Sequence, residues 1–336
     1  MASEMETRSV REGSSRSLAR EPEISVVIPV FNEEGNLAAL HQELTAALER
    51  FGKRYEILFI DDGSTDAGFA LLKSLNHRDE HVRVVRFRKN FGQTAALAAG
   101  FAEARAPVIV TLDADLQNDP KDIPRLVERL DAGFDMVCGW RKDRKDAFLV
   151  RKLPSQIANW LISVTTGVHL HDYGCTLKAF RAEVVKSLQL YGEMHRFIPA
   201  VASGFGVSID EMVVGHRPRR AGQSKYGISR TVRVILDLIT VKFLLDFSHR
   251  PLQVFGLAGL SMGAVGFALG CYLTWVKFGL GEPIGGRPLL LLSALLMVFG
   301  VQLASLGLIG ELQARTHHQN RSAPPYAIRE KLDRED

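Results

Sequence analysis

The run Asp113-Ala114-Asp115-Leu116-Gln117 follows an apolar stretch from Pro107 to Leu112. Residues two apart on a strand point the same way. If the extended geometry continues past the strand end, Asp113, Asp115 and Gln117 present three oxygen-bearing side chains to one spot. Hard oxygen ligands suit Mg²⁺ or Mn²⁺. An ion held by two or three protein groups keeps open positions, and diphosphates commonly fill such positions. The same residues also make a solvated acidic turn, so the surrounding chain has to decide between the two.

Other residues carry chemistry of a matching kind. Asp62, in Ile60-Asp61-Asp62-Gly63-Ser64, follows a buried run, where a carboxylate accepts from a base N–H or a ribose hydroxyl. A structural Asx-turn uses the same residues. Arg141 follows Gly139-Trp140, Arg151 and Arg181 stand further on, and Arg219 and Arg220 precede Gly222-Gln223-Ser224-Lys225-Tyr226. Arg offers a planar fork and Lys a point charge to phosphate oxygens, so these are candidates to hold a diphosphate or an acceptor phosphate. Asp172, in His171-Asp172-Tyr173-Gly174-Cys175-Thr176, is a candidate catalytic base or substrate-positioning carboxylate. The chain has no G-x-x-x-x-G-K-[ST], no G-x-G-x-x-G after the first strand and no G-x-S-x-G. A P-loop kinase, a dehydrogenase with the usual fingerprint and a serine hydrolase are therefore disfavoured.

The elements that must position these groups alternate. Strand-like runs at 24–30, 55–60, 82–87, 108–112 and 135–138 are separated by helix-like segments at 37–51, 67–75, 93–104 and 122–132. Such alternation predicts an α/β fold with a mostly parallel sheet covered on both faces. Ligands of such sheets bind beyond the carboxyl ends of the strands. Polar, Gly-containing clusters fall at those ends: Phe31-Asn32-Glu33-Glu34-Gly35, Asp61 to Asp66, Arg88-Lys89-Asn90-Phe91-Gly92-Gln93, and the Asp113 to Gln117 run. One such cluster is ordinary turn chemistry, but four in succession put carboxylates and amides on one edge.

Two regimes share the 336 residues. From about Ile24 to Val214 apolar and charged residues interleave, whereas Leu252 to Val276 and Pro288 to Gly310 hold no Asp, Glu, Lys or Arg. Each is long enough to cross a bilayer core as a helix. The start, Met1 to Pro22, is rich in Ser, Glu and Arg without an apolar h-region, and reads as a disordered leader rather than a signal peptide. Basic residues flanking the spans, Arg233, Lys242, Arg250, Arg315, Arg321 and Arg329, predict that the large domain and both termini face the cytoplasm. An amphipathic segment at about 147–166 and a juxtamembrane stretch at 227–250, two short helices or one that twists, suit the membrane interface. Cys138, Cys175 and Cys271 are scattered, without C-x-x-C, as expected in a reducing compartment. The net charge of +4 gives no support for nucleic acid as a partner.

Together, Val27 to Glu33, Ile60 to Asp66, Asn90 to Gln93, Asp113 to Asn118 and Gly222 to Tyr226 resemble family 2 glycosyltransferases with the GT-A fold. Within these, the chain is similar to the polyprenyl-phosphate glycosyltransferases. The stretch Asp172 to Arg181 and two C-terminal spans ending in Gly307-Leu308-Ile309-Gly310-Glu311 look like the undecaprenyl-phosphate aminoarabinose transferases. The resemblance implies a cytoplasmic GT-A catalytic domain over 23–226, two transmembrane helices within 251–311 and a cytoplasmic tail at 312–336, in the inner membrane. It implies metal ligation by Asp113, Asp115 and Gln117, with Asp115, Asp172 and Arg141 at the reacting centre. It gives Pro29, Phe31, Glu33, Asp62 and Asp113 to the nucleotide, and Arg151, Arg181, Arg219 and Lys225 to the phosphates or the acceptor. Gln223 departs from the Glu of many relatives, and the Arg219-Arg220-Ala221 order from those with Arg directly before the Gly.

The implied reaction is inverting, Mg²⁺- or Mn²⁺-dependent transfer of a sugar from a nucleotide sugar, UDP-linked on this reading, to polyprenyl phosphate, by a homo-oligomer, a tetramer. A phosphate monoester is largely ionised at neutral pH and needs little help from a base, which favours a positioning role for Asp172. The other reading is a non-catalytic membrane component that binds or transports lipid-linked sugar. A processive polysaccharide synthase is disfavoured, because Q-x-x-R-W is missing and only two spans are present.

Overall fold

The computed structural model describes residues 21–142, 162–163, 167–188, 190, 192, 194–218, 251–319 and 325–333. The leader (except 21–22), the amphipathic segment at 147–166 (except 162–163), the juxtamembrane helices, and Arg151, Arg219 and Lys225 lie outside the described residues. The chain divides into two compact units, Met1–Leu238 with Pro324–Asp336, and Ile239–Ala323.

The first unit carries β1 (Ile24–Val30), α1 (Glu34–Phe51), β2 (Tyr55–Asp61), α2 (Gly68–Arg78), β3 (Val82–Phe87), α3 (Gln93–Glu103), β4 (Val108–Thr111), α4 (Ile123–Asp131), β5 (Met136–Trp140), β6 (Lys178–Arg181), α5 (Ala182–Ser187), α6 (Ile198–Ser203) and β7 (Ile209–Val213). After the second unit come the last elements of the chain: α7 (Pro251–Gly279) and α8 (Pro288–Gln319) belong to that unit, and β8 (Ile328–Leu332) to the first. The eight strands form one mixed sheet in the order β7-β5-β6-β4-β1-β2-β3-β8. Strands β1 to β4 are parallel to one another, as the alternation predicts. The chain builds outward from β1 through β2 to β3, then returns to lay β4 on the other side of β1. A crevice opens at such a switch point, beyond the carboxyl ends of the two strands.

Burial explains the sequence patterns. Every residue of β2 is buried, so the strand does not alternate: Ile57 to Ile60 form an apolar run between Glu56 and Asp61. Leu37, Leu40, Leu44 and Leu48 recur at helical spacing and form the buried face of α1, which ends at Gly52 in the left-handed conformation (φ 76°). Helix α3 presents Ala95, Ala96, Ala99 and Gly100 inward. A Cβ at Gly100 would stand 2.1 Å from Val27 Cγ1, so the small residues let α3 press onto β1.

Three strands depart from the expected pattern. β6 inserts antiparallel between β4 and β5, and β7 and β8 form the two edges. β8 lies within the segment 312–336 that reads as a tail. It pairs antiparallel with β3, and Asn76 Nδ2 donates to the carbonyls of Val82 (2.7 Å) and Leu332 (3.1 Å). Arg83, buried, donates to Glu56 at 2.7 Å and to Asp333 at 2.5 Å. Tyr326 stacks on Phe87 with ring centroids 5.0 Å apart. The sequence Ile-Arg-Glu-Lys-Leu suits an edge strand, where charged side chains discourage further pairing.

In the second unit, α7 and α8 contain apolar stretches at Leu252–Gly279 and Pro288–Gly310, long enough to cross a bilayer. Their outward side chains, Leu257, Leu260, Phe267, Leu291 and Val301 among them, are exposed, unlike those of a core helix. The two helices meet through glycine. A Cβ at Gly300 would lie 2.7 Å from the Gly259 carbonyl oxygen, and one at Gly266 would lie 2.9 Å from that of Ser293. Ser293 Oγ donates across the contact to the Gly266 carbonyl at 2.8 Å. Close backbone approach of this kind is how apolar helices associate where no hydrophobic effect separates helix from surroundings.

Candidate active site

The acidic run lies where β4 ends, but strand alternation does not carry its side chains together. β4 stops at Thr111, and Leu116 adopts φ 61°, a conformation uncommon outside glycine, asparagine and aspartate. The chain turns here, with the Gln117 N–H donating to Asp115 Oδ1 at 3.1 Å. The Gln117 carbonyl accepts from the Arg217 N–H at 2.8 Å, and Asn118 forms a bridge with His216. The turn brings Asp113, Asp115 and Gln117 to one cavity that Pro29, Thr111 and Arg141 also line.

Burial and the neighbouring charge of Asp115 raise the Asp113 carboxyl to about 6, against the Thr176 hydrogen bond and the charges of Arg141 and Lys178. Two carboxylates that repel each other in a shared cavity are relieved by a cation. Among the described residues no group of three His, Cys, Asp or Glu side chains converges. An ion would thus take Asp113, Asp115 and the Gln117 amide oxygen, all hard donors, and complete its shell with waters or a ligand phosphate. The donor set fits Mg²⁺ or Mn²⁺ and does not resemble a zinc site.

Arg141, which lines the same cavity, engages Asp172 at two points, Nε to Oδ2 at 2.7 Å and Nη2 to Oδ1 at 3.0 Å. Burial alone would lower the guanidinium pKa, but the Asp172 contact outweighs it and the net shift is upward. Glu211 of β7 holds the loop that carries Asp172, accepting from the N–H groups of His171 (3.0 Å) and Asp172 (2.9 Å) and pairing with His171 Nδ1 at 2.7 Å. His171 in turn stacks on Trp140, ring centroids 4.1 Å apart. With both carboxylate oxygens turned to a guanidinium, Asp172 is placed to orient Arg141. Lys178 Nζ, also buried, donates to the carbonyls of Tyr173 and Cys175 and so fixes the same loop.

The other predicted residues fall in several places. Asp62 lies at the end of β2 and accepts the N–H groups of Phe91 (2.6 Å) and Gly92 (2.9 Å). Burial raises its carboxyl, and those two bonds oppose the shift. Gly63 (φ 70°) makes the approach possible, because a Cβ there would lie 2.5 Å from the carbonyl carbon of Lys89. Pro29 lines the cavity with the acidic pair. Glu33 lines a separate cavity with Asn32, Thr65 and Asp66, and its Oε2 accepts from Asn36 Nδ2 at 2.7 Å. Phe31 stands half-buried directly after β1. Arg181 is not brought to the site. It pairs with Val108 at the start of β4, the far end from Asp113, and donates to the Leu130 carbonyl at 2.9 Å.

The cavity also holds residues to which the sequence assigned no role: Gln93, Thr176, Lys178, His195 and Arg196. Gln93 Nε2 donates to Asp113 Oδ1 at 2.9 Å. Thr94 Oγ1 lies 2.9 Å from His195 Nδ1. Gln93 stood in a recognised cluster, whereas His195-Arg196 precede the apolar run of α6 with no motif to mark them.

The sequence profile described as Glycosyl transferase family 2 matches residues 25–189. The dodecaprenyl-phosphate galacturonate synthase of Rhizobium johnstonii is 46% identical over 315 residues, spanning 93% of each chain. The undecaprenyl-phosphate 4-deoxy-4-formamido-L-arabinose transferase of Pseudomonas paraeruginosa is 39% identical over 307 residues, 91% of this chain and 89% of that one. Among solved structures, the glucosyl-3-phosphoglycerate synthase of Mycobacterium tuberculosis, in complex with Mn²⁺ and UDP-glucose, superposes with a TM-score of 0.53 at 18% identity, covering 67% of this chain and 79% of that one. The chain is a glycosyltransferase and belongs to glycosyl transferase family 2. Over nearly its whole length it is similar to the two polyprenyl-phosphate enzymes above.

Proposed function

We propose that this protein transfers a sugar from a nucleotide sugar to a polyprenyl phosphate at the cytoplasmic face of the inner membrane, with inversion at the anomeric carbon. The observation that carries the reading is the placement of Asp113 and Asp115 in one cavity with Arg141, at the switch point between β1 and β4. The two most similar relatives named above act, by their names, on different sugars, and only the lipid-phosphate product class is common to both.

Asp113, Asp115 and Gln117 would hold Mg²⁺ or Mn²⁺, which when bound supplies positive charge to the departing diphosphate. Arg141, oriented by Asp172, adds a fixed cation to the same cavity, where developing charge on the leaving group is stabilised without reorganisation. The nucleoside lies along the loops after β1 and β2, near Phe31, Glu33 and Asp62. Asp62 serves that position through the loop it ties down. The acceptor is a phosphate monoester with a second pKa of about 6, so it attacks as the dianion and requires no general base. Helices α7 and α8 keep the enzyme on the membrane that contains the lipid acceptor. Arg151, Arg219 and Lys225 remain part of this reading as cations that meet the phosphates.

The test is incubation of the purified chain with undecaprenyl phosphate, Mn²⁺ or Mg²⁺ and a panel of UDP-sugars, with mass spectrometry of the lipid fraction. A polyprenyl-phosphate sugar that fails to form with EDTA or in Asp115→Ala is expected. Absence of lipid product with every donor, or transfer indifferent to EDTA, overturns the reading.

A further inference from the structure

Helix α3 begins at Gln93, directly after Gly92. Its start is fixed from two sides: Asp62 holds the Phe91 and Gly92 N–H groups, and Thr94 meets His195. Further along, Gly100 presses the helix against Val27. From this pinned turn Gln93 reaches into the cavity and donates Nε2–H to Asp113 Oδ1 at 2.9 Å. An ionised carboxylate only accepts, so the amide nitrogen, and not its oxygen, must face Asp113.

We propose that Gln93 is a positioning residue of the metal site, fixing the Asp113 carboxylate so that its second oxygen is turned to the ion. The inference rests on the metal-dependent reading given above. A neutral donor is the right chemistry for the task. Lys or Arg in the same place would orient Asp113 but would also compete with the cation for its charge. Partners that hydrogen-bond a ligating carboxylate fix its geometry, and their loss typically weakens metal affinity by roughly 10- to 100-fold. Placing the donor on a helix packed against the sheet, rather than on the acidic turn itself, gives that turn a rigid outside reference.

The experiment is Mn²⁺ titration of the full chain in detergent with UDP present, followed by electron paramagnetic resonance. Gln93→Met keeps the length and removes the donor, and Gln93→Ala removes the side chain without steric burden. Both are expected to weaken Mn²⁺ binding roughly 10-fold or more, with melting temperature little changed. In an Asp113→Asn background, adding Gln93→Met is expected to cost nothing further, because the two residues act as one unit. Mn²⁺ affinity within twofold of the unchanged chain in both single variants overturns the inference, as does a full additional loss in the Asp113→Asn background. No Mn²⁺ binding by the unchanged chain overturns the metal reading itself, and the inference with it.

Discussion

Arg141 and Asp172, 31 residues apart, form a two-point ion pair in which each guanidinium edge nitrogen meets its own carboxylate oxygen, at 2.7 and 3.0 Å. Side-chain exposures of 11% and 6% place the pair out of water. Removing one member of such a pair strands the other charge, at a cost of about 3–5 kcal/mol. Asp172→Asn is therefore expected to lower the melting temperature and to weaken binding of UDP, measured by calorimetry. In the double variant Asp172→Asn/Arg141→Gln the losses are expected to fall well short of additive. If Asp172 instead acted as a base, Asp172→Asn would abolish turnover with nucleotide affinity intact.

Asp113 sets a pH dependence of the metal-free enzyme. Its carboxyl stands at about 6, raised by burial and by Asp115. Between the ordinary carboxylate range and that value the folded chain keeps a proton that the unfolded chain has released, so stability falls as pH rises through the window. Melting curves in EDTA at pH 5 and pH 7 are expected to show the higher midpoint at pH 5. Asp113→Asn should flatten the difference, and an unchanged slope in that variant would remove Asp113 as its cause.

The α7–α8 contact offers a matched pair of substitutions. A side chain at Gly300 meets the Gly259 carbonyl oxygen at 2.7 Å from its Cβ, whereas a Cβ at Gly263 has open space. Gly300→Leu is expected to destabilise the hairpin by about 1–3 kcal/mol, read as a lower melting temperature in detergent. Gly263→Ala should leave it near that of the unchanged chain.

Asp333 is held below its usual pKa by Arg83, and Arg105 and Lys331 add to the effect against the opposing influence of burial. A depressed carboxyl contributes stability that is present at neutral pH and lost as pH falls through its folded value. Asp333→Asn is expected to lower the melting temperature at pH 7 and to narrow its gap to the unchanged chain in acid. Deleting residues 325–336 should do more, because it bares the β3 edge, and light scattering on the soluble fraction should report association.

The parallel half of the sheet was readable from the chain because β1 to β4 are apolar runs bounded by Gly-containing turns. β6, β7 and β8 escaped for a physical reason. Each is four or five residues long, and the two edge strands carry charges in place of an apolar signal. Asp113 and Asp115 were legible as a pair, yet the left-handed Leu116 that turns the chain towards Gln117 was not, since nothing in its residue type announces a positive φ. Asp172 was visible as a carboxylate worth noting. Its partner could not be read from spacing, because Asp172 is held by Glu211, far along the chain. Arg181 shows the converse: a cation in a recognised stretch that strand register carries to the wrong end of the sheet.

β8 joins the same sheet as β1 to β7 although α7 and α8 intervene in the chain. If those two helices cross a bilayer, the crossings must cancel, and the polypeptide has to come back to the side it left. The sheet also stays one strand short until synthesis has passed both helices. Completion of the sheet thereby waits on the last residues of the chain, and until they are made the β3 edge stays uncovered.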